Sequence, residues 1–465
     1  MTLQHFIGFI VTLLSIVALS IYSRKAEREK KGANSLVVAG IIMGTLVGGS
    51  STVGTAQLAY QYGMSAWWFT LGSGIACLVL ALFFAKPLYK SSHKTLIAFI
   101  TSEYGKKNGL IASVLSSLGS FINIISQLIA ATAIIAVVAP YIPFYSALLI
   151  SALFMVLYVI FGGTKGSGWV GILKMMLLYV AMIASGILVL VISNGLDGFI
   201  NLVNLIDNPE GIRFGSLFAR GAGEDLGACL SLILGVITTQ SYAQAIFAAT
   251  DSKAAVKGAV LSSFLIPPVG LGGILVGLYM RSTQPGIVPK TALTLFVTEN
   301  MPPLLGGIVL GALFIAVMGT GAGLALGIST VLRRDVLPSL RRNSKKVFSE
   351  VATEKILIVL ILIAACIFSM GSLGDTILKF AFMSMGLRGA TIFLPLCCAL
   401  WCAGMVNKIY AGVAIISGPL FVLIFELWGI LPFDPLFAGV IISAINMLMG
   451  YLGNIVKRNS MSEDK

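Results

Sequence analysis

The chain has 465 residues, of which 57% are hydrophobic and only 11% are charged, whereas soluble domains carry about 25% charged residues. This composition excludes an ordinary soluble protein and predicts an all-α polytopic membrane protein. The chain carries 31 Lys and Arg against 18 Asp and Glu, a net charge of +13. Anionic membrane lipid is a sufficient partner for this excess of positive charge, so the charge does not indicate a nucleic-acid partner.

Apolar segments recur along the whole chain. We count about 13 of them, each roughly 16 to 30 residues long, and a membrane helix needs about 20. The first has no basic region before it and no small-residue cleavage site after it, so we interpret it as a retained span rather than a secretory signal. The segments begin near Leu3, Leu36, Ala66, Leu110, Phe144, Gly168, Leu226, Gly258, Leu304, Ile356, Gly389, Tyr410 and Leu436.

Lys and Arg are concentrated in the loops on one side of these spans, and in membrane proteins that side is cytoplasmic. With an odd number of spans, this bias predicts an external N-terminus and a cytoplasmic C-terminus, in an integral multi-pass protein of the plasma membrane. We place a single basic residue, Lys174, inside a span. The basic clusters of this side lie at residues 24–31, 86–107, 253–257, 333–346 and 457–458.

No polar stretch is long enough for a soluble domain, so we predict a single transmembrane domain over residues 1–465. Setting aside the first span and the last two leaves two sets of five, spans 2–6 and 7–11. Because five is odd, the second set has inverted topology relative to the first. The predicted parts are an N-terminal span and basic loop (1–34), the first repeat (35–194), an external loop (195–225), the second repeat (226–404), and two C-terminal spans with a tail (405–465).

The second span is interrupted by the sequence V-G-G-S-S-T-V-G-T, from Val47 to Thr55. A helix in hydrocarbon must satisfy its own backbone groups, so a break is tolerated only where the freed groups line a cavity or bind something. Membrane transporters place substrates and coupling ions at broken helices near the bilayer midplane. The break therefore predicts a binding site at mid-membrane.

The distribution of reactive residues excludes several classes of site. All 18 Asp and Glu fall in loops or at span ends, so no carboxylate at depth can pair with a cationic substrate, and a neutral or anionic solute is favoured. The two histidines lie at span ends, which leaves no buried catalytic pair and argues against an enzyme. The six cysteines have no ligand spacing, so we predict no cofactor and no metal site other than one for Na⁺.

Five motifs occur along the chain in a fixed order. Together they resemble the sodium:solute symporter family, and the resemblance covers most of the chain. It implies the fold of inverted five-helix repeats, 13 spans with an external N-terminus, and secondary active transport by alternating access. The motifs are G-T-A-Q-L-A-Y-Q-Y-G (54–63), T-L-I-A-F-I-T-S-E-Y-G (95–105), G-G-T-K-G-S-G-W (162–169), Q-S-Y-A-Q-A-I-F-A-A-T-D-S-K-A-A-V-K-G (240–258) and P-P-L-L-G-G-I-V-L-G-A-L-F-I-A-V-M-G-T (302–320), the last followed by Asp335.

The resemblance also implies a sodium site between the broken second span and the ninth span. Carried over by spacing, its carbonyl positions match Gly44 and Val47, and its ninth-span positions match Ala316, Gly319 and Thr320. Na⁺ is a hard cation that prefers oxygen ligands, which an unwound helix and nearby hydroxyls supply without a buried charge. We therefore expect Na⁺ as the coupling ion, with H⁺ as the alternative.

The chain departs from the family pattern at three positions. The ninth span usually has two adjacent hydroxyl residues, and here Gly319 stands beside Thr320. At the start of the sixth span, Gly171 replaces an expected aspartate and Lys174 replaces a glutamine. An ionisable residue at depth is costly and indicates function by default. Lys174 either extends to the cytoplasmic interface or occupies the cation site in place of Na⁺, while water or Ser329 is a candidate for the missing oxygen.

Polar residues near two breaks are candidates for contact with the solute. The first group flanks the break of the second span, the second lies on the third span, and the third lies on the seventh span, the inverted counterpart of the second. Trp67 and Trp68 are either stacking platforms or, as is more common, anchors at the membrane interface. The three groups are Ser50, Ser51 and Gln57; Thr70 and Ser73; and Thr238, Thr239 and Gln240.

These features predict a secondary active transporter that imports a small neutral or anionic organic solute together with Na⁺. One alternative is H⁺-coupled or cation-independent transport, in which Lys174 replaces the bound cation. A different class of function is a transporter-like sensor that binds the solute without moving it. The sequence leaves the identity of the solute and the oligomeric state open.

Overall fold

The computed structural model describes residues 2–26, 32–91, 93–162, 167–206, 211–337, 350–371, 377–429, 431 and 433–463. Within these ranges the protein is built from α-helices and contains no β-strand. Parts of the predicted basic clusters (27–31 and 338–349) and of the third motif (163–166) lie outside the described residues. The predicted all-α class is confirmed.

Twenty α-helices follow one another in the described parts of the chain. They are α1 (Leu3–Ala26), α2 (Ser35–Leu46), α3 (Thr55–Tyr62), α4 (Trp68–Val79), α5 (Ala85–Lys90), α6 (Leu96–Tyr104), α7 (Lys106–Val138), α8 (Phe144–Gly162), α9 (Ser167–Ile192), α10 (Gly195–Asn204), α11 (Ala222–Ile237), α12 (Gln240–Phe247), α13 (Ser252–Leu265), α14 (Pro267–Thr283), α15 (Ala292–Asn300), α16 (Pro303–Val331), α17 (Glu350–Ser369), α18 (Ile377–Trp401), α19 (Lys408–Trp428) and α20 (Leu436–Glu463).

Nine helical segments of the described residues are long and apolar enough to cross a membrane. A tenth forms if α11 and α12, which meet at an angle of 46°, are one broken span. Three shorter apolar helices lie at Leu3–Ser15, Ser35–Leu46 and Phe144–Tyr158. The protein is therefore an integral multi-pass membrane protein, while the count of 13 spans, their orientation and the inverted repeat stay predictions.

The broken helix lies at the centre of the helix packing. α2 packs against α9, α13 and α16, and the π-helical turn Ser50–Gly54 that follows the break contacts α7, α14 and α18. The long helix α16 is buried along most of its length and also packs against α1 and α7. This arrangement surrounds the break with protein rather than with lipid.

One prediction about the buried charges is wrong. The eleventh apolar segment was expected to begin near Gly389, which left Arg388 outside it, but α18 begins at Ile377 and Arg388 lies near its middle. The Arg388 side chain is fully buried. Lys174 is therefore not the only basic residue inside a span, because a helix can continue through an arginine when neighbouring helices bury it.

The backbones of α2 and α9 approach each other closely at two glycines. A Cβ atom added at Gly171 would overlap the backbone carbonyl of Gly40, and one added at Gly44 would lie 3.0 Å from the Gly171 Cα. Small residues permit such close contact between membrane helices. The aspartate expected at position 171 has no room here, and the close approach brings Lys174, one turn along α9, towards α2.

We predict that Gly171→Ala destabilises the protein, because the added methyl group must push α9 away from the Gly40 carbonyl. Overpacking of this kind typically costs about 1–3 kcal/mol. The measurement is the apparent melting temperature of the purified protein in one detergent. Gly186→Ala is the matched control, because Gly186 lies in the same helix and an added Cβ there meets only the side-chain end of Leu275 at 3.2 Å and Gly272 at 3.4 Å. Equal melting temperatures for the two variants would contradict the prediction.

Candidate cation and solute site

The break begins where α2 ends. Val47 adopts an extended conformation with φ of −92° and ψ of 107°, which ends the helical hydrogen-bond pattern and turns carbonyl groups away from the helix axis. A Cβ atom at Gly48 would overlap the Thr320 side chain, and one at Gly49 would lie 2.5 Å from the Ala130 Cβ. The two glycines therefore allow the broken backbone to touch α16 and α7 directly.

Lys174 binds to this break. Its Nζ donates to the Gly44 carbonyl at 2.5 Å and to the Thr320 Oγ1 at 2.9 Å. The Thr320 hydroxyl in turn donates to the Val47 carbonyl at 3.2 Å. Only 2% of the Lys174 surface is exposed. Four of the residues predicted for the cation site thus meet in one hydrogen-bonded group, which we call the ammonium cage: Gly44, Val47, Lys174 and Thr320.

Gly319 borders the ammonium cage and leaves room for it. A Cβ atom added at Gly319 would lie 3.4 Å from the Lys174 Nζ and 3.1 Å from the Tyr158 hydroxyl. The space that a hydroxyl side chain would occupy at position 319 is therefore taken by the ammonium and the phenol. Ala316 is buried one turn earlier on α16, and Ser329 lies away from the cage with its hydroxyl donating to the Leu326 carbonyl at 2.8 Å.

The ammonium has no anionic partner in the part of the chain that the structure describes. Its neighbours are a carbonyl and a hydroxyl, which are the neutral oxygen ligands expected around a bound alkali cation. A lysine that extended to the interface would place its ammonium in water. Lys174 instead directs its ammonium into the protein, towards the break.

The far side of the break is attached to α7 by Gln127 and Ser126, which the sequence analysis did not single out. The Gln127 Oε1 accepts from the Gly49 amide at 2.9 Å, and its Nε2 donates to the Ser50 Oγ at 3.0 Å. The Ser50 and Ser126 hydroxyls lie 3.1 Å apart. The sequence signal for this contact is the polar group Asn123, Ser126 and Gln127, which recurs at helical spacing within α7.

Two other predicted residues, Ser51 and Gln57, bond to backbone groups, one at the break and one on a neighbouring helix. The Ser51 Oγ accepts from the Gly48 amide at 2.8 Å and donates to the Gly48 carbonyl at 3.0 Å. The Gln57 Oε1 accepts from the Ile377 amide at 3.1 Å, which connects the start of α3 to the start of α18. Ser51 therefore supports the broken backbone itself, whereas Gln57 attaches the helix that follows the break to α18.

Residues predicted on the third span lie against other elements rather than at the break. The Thr70 hydroxyl is 3.4 Å from the Pro267 carbonyl at the start of α14, and the Ser73 hydroxyl donates to the Phe69 carbonyl of its own helix at 2.6 Å. The Trp67 indole also donates to the Pro267 carbonyl, at 3.0 Å. The structure does not bring these side chains together with Ser50 and Ser51.

The second break lies between α11 and α12 and carries the remaining predicted residues. Thr238 donates to the Leu234 carbonyl at 2.7 Å, and the Gln240 Oε1 accepts from the Leu96 amide at 2.9 Å. Thr239 accepts a 2.8 Å hydrogen bond from the guanidinium of Arg388. Of the three predicted residues here, only Thr239 meets a buried charged group.

Two cavities open near the two breaks. The first has a volume of about 500 Å³, and we call it the acidic vestibule. The second has a volume of about 680 Å³, and we call it the basic vestibule. The acidic vestibule is lined by residues that include Tyr62, Arg220, Glu224, Phe382, Gly386, Glu426 and Asp434. The basic vestibule is lined by residues that include Thr45, His93, Lys94, Ser241, Gly323, Arg333, Arg334 and Glu354.

Comparison with known proteins identifies relatives that span nearly the whole chain. The high affinity choline transporter 1 of Homo sapiens is 23% identical over 445 residues, covering 88% of this chain and 74% of the relative. The sodium/pantothenate symporter of Escherichia coli (strain K12) is 21% identical over 478 residues, covering 97% of this chain and 96% of the relative. Both relatives are transporters, so the expectation that the chain is a transporter rather than an enzyme is confirmed.

Solved structures of transporters share the fold. A Na⁺-coupled sialic acid symporter, in a substrate-bound outward-open state, matches with a TM-score of 0.77 and 16% identity over 97% of both chains. The inward-facing conformation of Mhp1 matches with a TM-score of 0.59 and 14% identity over 92% of both chains. The model of the sodium:solute symporter family matches residues 31–409, which is most of the chain. This protein therefore belongs to the sodium:solute symporter family.

Proposed function

We propose that the protein imports a small neutral or anionic solute by alternating access, and that the Lys174 ammonium takes the place of the sodium ion in the ammonium cage. One observation carries the proposal: Lys174 donates to the Gly44 carbonyl and to the Thr320 hydroxyl. These are oxygens that the family resemblance assigns to a cation. A bound Na⁺ would compete with the ammonium for the same oxygens, so one site cannot hold both cations.

The chemistry of the cage supports a fixed cation. Isolated positive charge is expensive in a membrane interior, and the cage reduces this cost with hydrogen bonds to a charged donor, worth about 1.5–3 kcal/mol each. The Thr320 hydroxyl, which accepts from Lys174, itself donates to the Val47 carbonyl. The ammonium therefore stabilises the carbonyls at the end of α2, where the break begins, without any bound ion.

The basic vestibule supports proton exchange in this proposal, because residues beside the cage line it. Thr45 and Gly323 line the basic vestibule, and they are close neighbours in the chain of Gly44 and Thr320. A Cβ atom at Gly323 would lie 2.8 Å from the Thr45 hydroxyl, so these two residues pack together beside the cage. Loss of a proton from Lys174 to this vestibule would remove the cation that holds the cage, which is the basis of proton coupling in this proposal.

Sodium symport is the competing function, favoured by membership of the family and by the fold shared with a Na⁺-coupled symporter. Uptake separates the two functions. Purified protein is reconstituted into proteoliposomes. Uptake of labelled pantothenate, sialic acid and choline is then measured under an inward Na⁺ gradient, an inward H⁺ gradient, or neither. We expect uptake that an Na⁺ gradient does not increase. Uptake that requires the Na⁺ gradient would overturn the role of Lys174 and favour sodium symport.

Removing the ammonium is predicted to create a sodium site. In Lys174→Ala, the Gly44 and Val47 carbonyls and the Thr320 hydroxyl surround a vacated space, and a cation that binds only the folded state stabilises it by about 2.7 kcal/mol at 100 times its Kd. The measurement is the apparent melting temperature in NaCl against KCl at equal ionic strength. We expect Na⁺-specific stabilisation in the variant and none in the wild type.

Two further variants sharpen this test. Adding Gly319→Ser to Lys174→Ala supplies a second hydroxyl beside the vacated space, so we expect a larger Na⁺-specific stabilisation than in Lys174→Ala alone. Lys107→Ala is the control, because Lys107 is exposed near the start of α7. Na⁺-specific stabilisation of the wild type by the same amount as the variant would show that Lys174 does not compete with sodium.

Thr320→Ala is predicted to weaken the cage directly. The change removes an acceptor from Lys174 and a donor from the Val47 carbonyl, and each unsatisfied buried group costs about 1–3 kcal/mol. We expect a lower melting temperature and at least a tenfold slower uptake. Ser329→Ala is the matched control, because Ser329 is also buried on α16 but bonds only within its own helix. Equal uptake by the two variants would count against the cage.

A further inference from the structure

Arg388 is a second buried cation, and the ammonium cage does not use it. It lies near the middle of α18 and is 0% exposed. Within the described residues no carboxylate forms an ion pair with it. A buried charge that lacks a counterion is strongly unfavourable, and ionisable groups at depth in membrane proteins commonly mark the path of a substrate or ion.

The immediate partners of the guanidinium are neutral. Its nitrogen atoms donate to the Thr239 Oγ1 at 2.8 Å, to the Ser384 Oγ and carbonyl at 3.1 Å each, and weakly to the Ser120 Oγ at 3.4 Å, while the Met385 sulfur lies 2.9 Å away. These contacts hold the planar group in position. None of them neutralises its charge.

Two features of α12 beside Arg388 are also suited to an anion. Thr239 precedes the helix but does not cap it through its side chain, so the first amides of α12 keep the partial positive charge of a helix N-terminus. Tyr242 lies three residues further on, near the same face. Its hydroxyl is fully buried without a hydrogen-bond partner among the described residues.

A glycine on a neighbouring helix leaves room for the Arg388 side chain. A Cβ atom at Gly119 of α7 would lie 2.7 Å from the Arg388 Cγ, so a glycine makes room for the stem of the side chain. Gly386, two residues before Arg388, lines the acidic vestibule, and Ser241, two residues after Thr239, lines the basic vestibule. The contact between Arg388 and Thr239 therefore joins the segments that line the two cavities.

From this geometry we propose, on the basis of the transport function above, that the solute is an organic anion whose carboxylate binds Arg388, the Tyr242 hydroxyl and the N-terminus of α12. The guanidinium presents paired donors that match a carboxylate. Tyr242 supplies a donor that has no other acceptor among the described residues. A cationic solute such as choline would instead meet the buried guanidinium of Arg388, with which no carboxylate of the described residues forms an ion pair.

The test uses purified full-length protein in detergent and measures ligand-dependent shifts in melting temperature. The probes are acetate, lactate, succinate, glutamate, pantothenate and sialic acid, each paired with its neutral amide, alcohol or methyl ester, together with choline. We expect at least one carboxylate to stabilise the protein and its neutral counterpart to have no effect. Stabilisation by choline or by neutral counterparts alone, or by none of the carboxylates, would overturn the proposal.

Variants test whether the carboxylate binds at these residues. Tyr242→Phe removes only a hydroxyl that has no hydrogen-bond partner among the described residues. We therefore expect the ligand-free melting temperature to stay unchanged and the affinity for the stabilising carboxylate to fall roughly tenfold. Tyr179→Phe is the matched control, because the Tyr179 hydroxyl also lacks a partner but lies on α9. Arg388→Lys keeps the charge and loses the paired donors, and we expect a loss of roughly ten- to a hundredfold. Equal affinity in Tyr242→Phe and Tyr179→Phe would overturn the site.

Running each titration in NaCl and in KCl separates this proposal from the previous one. Carboxylate binding that occurs only in NaCl would contradict the role of Lys174 and leave the anion site intact. Neutral counterparts that bind as strongly as the carboxylates in both salts would overturn the anion site and leave the role of Lys174 intact.

Discussion

The hydrogen bonds from Lys174 to Gly44 and Thr320 are the contacts on which the centre of the molecule depends. A helix broken inside a membrane leaves carbonyls that lipid cannot satisfy, and a cation is the most effective group to hold them. Here that cation is covalently part of the protein. Two glycines make this contact possible. Gly171 lets α9 approach α2, and Gly319 leaves space for the ammonium beside α16.

The buried polar groups at the two breaks are hydrogen-bonded to different extents. The first is closed on both sides, by Lys174 and Thr320 towards α9 and α16 and by Gln127 towards α7. Among the described residues, the second break has a guanidinium that no carboxylate pairs, a helix N-terminus that no side chain caps and a phenol hydroxyl that makes no hydrogen bond. Buried polar groups are usually paired, and this difference is the reason why we propose a structural role for the first break and a binding role for the second.

The sequence predicts the membrane class, the position of the first break and the residues that meet there. Gly44, Val47 and Thr320 were carried over by spacing from the family resemblance, and Lys174 was singled out as an ionisable residue inside a span. The structure brings the four residues together, while their role in cation binding stays a prediction. Arg388 was missed because apolar segments were delimited by hydropathy, which treats an arginine as an end even when three helices bury it. A role in solute binding is hardest to predict for hydroxyl residues such as Ser73, because their hydroxyl can donate to a carbonyl of their own helix.

The two proposals together constrain the energetics of transport. An anion that enters alone moves a negative charge against an inside-negative potential, which costs about 2.3 kcal/mol per 100 mV. A proton carried with the anion removes this cost because the pair is neutral. A fixed ammonium cannot cross with the solute, as a sodium ion can, but it can lose and regain a proton. We therefore propose a proton as the coupling ion, because it would balance the charge of a carboxylate bound at Arg388 and would also fit a cage that is held by Lys174.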